Sequence, residues 1–129
     1  MTHETRDTFS PNLIEALNTT DEVDIETVSP SGKSRRTTIW IVTDGADAYV
    51  RSERGTAGQW YRNLVETPTG ALHVGSERVA IHATHAADPA SVELVSELFR
   101  EKYGKRFRGS TQAMLQPDTL ESTLRIDPA

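Results

Sequence analysis

The sequence predicts an α+β fold, a small barrel or strongly bent antiparallel sheet with helices at its flanks. Two hairpin patterns carry this prediction. SRRTTIWIVT and AYVRS lie on either side of DGAD, and GALHVG and RVAIHAT on either side of a Gly-Ser-Glu turn. Helical segments with start and stop signals lie before, between and after them, and a late STLRI run returns to the sheet as its last strand.

In chain order, the first helix is SPNLIEALN. Ser10 supplies the N-cap oxygen, Pro11 the preset first position, and Leu13, Ile14 and Leu17 share one face. VDIETV alternates Val23, Ile25 and Thr27 with Asp24 and Glu26, the period of a half-buried strand. SPSG turns the chain into residues 34–43, where the run Ile39 to Val42 is apolar on both faces and predicts an interior strand. Thr56 and Gln59 have capping-box spacing, which predicts a helix from Ala57 that ends before TPTG. DPASVELVSELFREKYG has Asp88 as N-cap, Pro89 at the first position and Gly104 as stop. Its apolar stripe is Val92, Val95, Leu98, Phe99 and Tyr103.

A chain of 129 residues fits one domain with a real core. Residues 1–9 read as a flexible tail and 10–129 as that domain. Hydrophobic residues at 36% and charged residues at 26% predict a globular protein, and a net charge of −5 provides no overall field to attract nucleic acid. Without cysteine there are no disulfides, no thiolate catalysis and no cysteine-ligated metal. MTHETRDTFS lacks the apolar centre of a signal peptide, and Ile39 to Val42 is far too short to span a bilayer. A cytoplasmic, membrane-free location is the expectation.

The stretch RSERGTAGQWYRNL places Arg51, Arg54, Gly55 and Gly58 at a strand end just ahead of a helix start. Free N–H groups and the positive end of a helix dipole favour an anion there, glycines admit it to the backbone, and arginines fork onto its oxygens. A solvated loop with a glycine hinge is the plain alternative. Lys33, Arg35 and Arg36 open the strand expected to pair with the one ending at Arg51, so the two basic groups approach each other. Residues 33–62 carry six bases and three acids, against one base and seven acids in the first thirty residues. The positive charge is local and suits a small anionic ligand. No G-x-x-x-x-G-K-[ST] pattern is present.

The segment GKSRRTTIWIVTDGADAYVRSERGTAGQWYRNL resembles the split β-barrel flavin and deazaflavin oxidoreductases, the pyridoxamine-phosphate-oxidase-like superfamily. The likeness is greatest to the deazaflavin-dependent nitroreductase-like branch, where a Gly-basic-Ser-Gly-Arg run leads into a strand and a WY-basic-N-L helix follows. YVRS, RG, WYR and a late KYG also stand in the order of a small bacterial family of this fold. The resemblance implies a split β-barrel of about six antiparallel strands with flanking helices. It implies FMN or a deazaflavin coenzyme as cofactor, two-electron hydride transfer to a small-molecule substrate, and a homodimer.

By position, the resemblance makes Lys33, Arg35 and Arg36 phosphate contacts, with Thr37 and Thr38 lining the ring pocket. Arg51, Ser52, Arg54, Gly55, Thr56, Ala57 and Gly58 would hold the ribityl phosphate, with Trp60 and Tyr61 beside the cofactor. Arg35 stands where the pattern has its second glycine. Tyr61 and Tyr49 are the candidate proton donors. In a dimer, Ile39 to Val42 would serve the core on one side and a partner subunit on the other; the chain's own helices are the competing cover. A cofactor-binding module without turnover, or a nucleic-acid or protein adaptor, are the alternatives.

Other constellations carry less. His82 and His85 would point to opposite faces of a strand, and His73 and His82 have no evident carboxylate partner, so no metal site is expected. EKYGKRFRG reads as helix-end charge with its stems laid along apolar surface. Trp40 and Trp60 read as core or interface residues. No G-x-S-x-G or H-E-x-x-H motif supports a hydrolase.

Overall fold

A computed structural model describes residues 7–129; the expected tail lies outside the described residues over positions 1–6. Phe9, grouped with that tail, is 7% exposed and packs in the core. The chain then runs α1 (Pro11–Thr19), β1 (Val23–Val28), β2 (Ser34–Ile39), β3 (Val42–Thr43), β4 (Ala48–Val50), a 3-10 turn (Gly55–Ala57) and α2 (Gln59–Glu66). It continues through β5 (Thr69–Val74), β6 (Glu77–His85), α3 (Pro89–Tyr103), α4 (Arg108–Ala113), α5 (Pro117–Leu120) and β7 (Leu124–Pro128).

All seven strands form one antiparallel sheet in the order β2-β1-β5-β6-β7-β4-β3. Its two edges, β2 and β3, are joined by only Trp40 and Ile41. A flat sheet of this width would hold its edges about 29 Å apart at ~4.8 Å per strand. The chain from Ile39 to Val42 reaches at most about 11 Å. The sheet therefore curls until its edges nearly meet, which makes it a split barrel. Residues 34–43 are thus not one interior strand. They break at Trp40, β2 pairs with β1, and only Val42 and Thr43 pair with β4.

The barrel interior holds Ile25, Ile41, Leu72, Ile81, Leu124 and Ile126, with α1 contributing Ile14 and Leu17 and α2 contributing Trp60, Tyr61 and Leu64. A second cluster lies outside the sheet, where Val95, Phe99 and Tyr103 of α3 pack on Val42 and Tyr49 with Trp40 against them. The apolar run is two-faced because the chain's own helix covers its second side, so that run needs no partner subunit. Asp88 caps α3 through Ser91 N (3.1 Å), Pro89 sits in its first turn, and Phe99 is fully buried, as the periodicity predicts. Among the described residues, no helix is long and apolar enough to cross a membrane.

Candidate functional site

Where the sheet edges approach, a cleft of about 430 Å³ opens, within the range of small-ligand sites. Thr37, Thr38 and Ile39 from the end of β2, with Trp40, form one wall. Arg51, Ser52, Glu53 and Arg54 follow β4, and Gly58, Gln59 and Trp60 open α2; Glu22, Ser110 and Met114 complete the lining. The register shows why β2 contributes. Thr37 pairs with Ile25 and Arg35 with Thr27, so both stand on the barrel's inner side, yet both are exposed. The inner face is uncovered at this edge.

Arg51 and Arg54, expected to share one anion, both line the cleft but differ in burial and in what they bind. Arg51 is 1% exposed. Its Nε donates to Thr123 Oγ1 (2.8 Å), Nη1 to Ser96 Oγ (3.0 Å) and Met114 O (3.1 Å), and Nη2 to Val92 O (2.8 Å). These bonds use four of a guanidinium's five N–H groups and tie the end of β4 to α3, α4 and the approach to β7. The guanidinium also lies 5.5 Å from the Phe99 ring centroid. All four acceptors are neutral, and among the described residues no carboxylate forms an ion pair with it. Burial, with Arg100 nearby, lowers its pKa to about 10, so the charge persists at neutral pH. Arg54 is exposed on the cleft rim.

The helix start also differs from the sequence expectation. α2 begins at Gln59 with Gly58 as N-cap, and no side chain caps it. Thr56 and Ala57 lie in the preceding 3-10 turn, outside the cleft lining. Gln59 reaches down its own helix to Asn63 Oδ1 (2.8 Å), while Asn63 donates to Thr27 Oγ1 (3.1 Å) and anchors α2 on β1. The glycines admit neighbouring protein. Gly55 has φ +62° and a Cβ there would come within 2.7 Å of Asp118 O; at Gly58 it would meet Ser52 Oγ. Gly58 borders the cleft with its backbone, Gly55 does not.

The remaining candidates divide by place. Thr37, Thr38, Ser52 and Trp60 line the cleft. Lys33, Arg35 and Arg36 lie outside the lining, and Arg36 pairs with Asp24 at 3.1 Å on the outer face. Tyr61 and Tyr49 are buried in the inner and outer clusters and do not line the cleft. Burial, with Glu121 second, raises the Tyr61 pKa. The fold brings His73 a partner that linear spacing conceals, Glu26 Oε1 at 2.7 Å. Trp40, Glu22, Glu53, Ser110 and Met114 were missed as site residues. Trp40 carried no signal of this place, because periodicity reads residues 34–43 as one strand, and Ser110 and Met114 arrive through tertiary folding alone.

A second concavity of about 310 Å³ lies between α1, β3 and α3. Its cations are already engaged: Lys102 donates to Leu17 O (2.7 Å) and Ile41 O (2.6 Å), and Arg106 grips Asp21 at 2.7 and 2.8 Å. The first cleft is the better ligand site.

The sequence profile described as "Uncharacterized protein conserved in bacteria (DUF2255)" matches residues 13–126. The chain belongs to the DUF2255 family. No curated protein matches this DUF2255 chain by sequence. Among solved structures it is similar to an F420-H2 dependent reductase at 19% identity and TM-score 0.66, covering 83% of this chain and 94% of that one. It is similar to the heme storage protein HutZ from Vibrio cholerae at 17% identity and TM-score 0.64, covering 97% and 92%. A putative pyridoxamine 5'-phosphate oxidase from Listeria innocua matches at 12% identity and TM-score 0.61, covering 89% and 87%. The DUF2255 chain shares the split-barrel fold of these structures.

Proposed function

We propose that the cleft binds a phosphate-bearing redox cofactor of the flavin type, FMN or a deazaflavin coenzyme, and that the protein is a two-electron oxidoreductase acting on a small molecule. The observation carrying this reading is the buried charge of Arg51 in the cleft lining, which no described carboxylate pairs although Glu22 and Glu53 border the same cleft. A desolvated cation without a counter-charge is costly, and an anion in the cleft offsets that cost. Arg54 at the rim, the Ser52 hydroxyl and the uncapped start of α2 supply further donors for it. The chemistry such a cofactor contributes when bound is hydride transfer. The chain's own residues supply charge for the phosphate end and flat apolar walls from Trp40 and Trp60.

A binding module without turnover is the second reading, favoured by the placement of Tyr49 and Tyr61 away from the cleft. This proposal assigns the proton-donor role to neither. A homodimer belongs to the same proposal, a second copy covering the open inner face of β2 at Arg35 and Thr37. Absorbance spectra of the purified protein with FMN or a deazaflavin coenzyme test the function. Bound cofactor that can be reduced and then reoxidised by an added acceptor supports the enzyme. Binding without turnover supports the module, and no binding overturns both.

A further inference from the structure

The chain's two tryptophans both line the cleft, but they are built in differently. Trp60 is 9% exposed and part of the barrel core. Trp40 is half-buried on the crossover between the sheet edges. One face of its indole lies flat on Tyr103, with centroids 3.9 Å apart and planes 6° from parallel. Phe107 is 5.6 Å from Trp40 and 6.4 Å from Tyr103, and Phe99 is 6.4 Å and 6.0 Å from the same two rings. With Trp40 and Tyr103 so close, these distances put both phenylalanines beside the stack. Among the described residues, no aromatic ring lies over the second face of Trp40.

The backing is rigid. Tyr103 is fully buried, and its hydroxyl accepts from Ile41 N (3.2 Å) while its single hydrogen serves Asp21 O (2.8 Å) or Ile41 O (3.1 Å). Lys102 binds Ile41 O as well. The residue after Trp40 is therefore held at both backbone polar atoms. An aromatic fixed before its partner arrives loses little conformational freedom on stacking.

We propose that Trp40 is the stacking platform for the planar ring of the cleft's ligand, set in position by Tyr103 behind it and by the Tyr103 and Lys102 clamp on Ile41. The proposal rests on the cofactor reading above and adds which residue selects the ring. Trp40 favours a broad flat heterocycle, while Arg51 and Arg54 in the same cleft favour an anionic tail, so the preferred ligand class combines the two.

FMN titrations of the wild-type chain, Trp40→Leu and Trp40→Tyr test it, with thermal melting of each variant as the check on folding. Stacking on one aromatic is worth enough to predict about a tenfold weaker FMN dissociation constant for Trp40→Leu. The circular dichroism band induced in the flavin absorption should be lost in Trp40→Leu and retained in Trp40→Tyr, whose affinity stays within about threefold of wild type. FMN binding to Trp40→Leu with unchanged affinity and an unchanged induced band overturns the platform and leaves the cofactor reading standing. If Trp40→Leu does not fold, a Trp40→Tyr protein that binds FMN without an induced band overturns it equally. Failure of the wild type to bind either FMN or a deazaflavin coenzyme overturns the cofactor reading and the platform together.

Discussion

Arg51 and Arg54 are three positions apart, and the fold gives them opposite tasks. Arg51 is a buried strut with four neutral acceptors; its replacement leaves several of them unpaired, and Arg51→Ala should cost about 3–5 kcal/mol of stability. Arg54→Ala should change stability by less than about 0.5 kcal/mol, as expected of an exposed side chain. Urea denaturation of the two variants checks this, and similar losses in both would contradict the assignment. The arginine pair was visible in the sequence, but its division of labour was not. Arg51 meets Ser96, Met114 and Thr123, all more than forty positions away in the chain.

Glu26 shows residue-scale electrostatics on the barrel's outer face. Hydrogen bonds from Arg78, His73 and Ser34 outweigh burial and hold its pKa at about 2, below the ordinary 4.5. A carboxylate whose folded pKa is lowered contributes stability in full above its unfolded value, and that contribution is lost as pH falls through the folded one. Stability should therefore drop between pH 4.5 and about 2. Glu26→Gln should flatten that limb in acid titrations followed by circular dichroism. An unaltered acid limb would remove Glu26 from the account.

At the scale of elements, α3 was the most legible part of the chain. Its cap, first-turn proline and apolar stripe are local signals, and Phe99 is fully buried where the stripe places it. Phe99→Ala should cost about 3–5 kcal/mol, measured by chemical denaturation; a loss below about 1 kcal/mol would mean the outer cluster contributes little. Residues 34–43 were the least legible. Their two-faced apolar pattern is real, but it arises from a break at Trp40, with Ile39 and Ile41 turned into the barrel and Val42 under α3. Periodicity cannot distinguish that from one interior strand, because the covering helix is distant in sequence. The start of α2 was displaced for a local reason: Gln59 satisfies Asn63, four positions on, instead of closing a box with Thr56.

At the scale of the molecule, the hairpins and the late strand sufficed to read a curled antiparallel sheet, and closure follows from the two-residue link between its edges. Oligomeric state is set by surfaces that local pattern does not mark. The open inner side of β2 at Arg35 and Thr37 leads us to expect a homodimer at micromolar concentration by analytical sedimentation, and a monomer both with and without FMN would exclude a shared site. Whether the cleft holds an anionic flavin-type cofactor is decided by one comparison. The dissociation constant of FMN, and separately of a deazaflavin coenzyme, is measured by equilibrium dialysis for wild type and Arg54→Ala. Wild type should bind at least one of them, and Arg54→Ala should weaken that binding by about 1.5–3 kcal/mol, the loss of a charge-assisted hydrogen bond. No binding by wild type, or an identical constant in the variant, would contradict the cofactor reading.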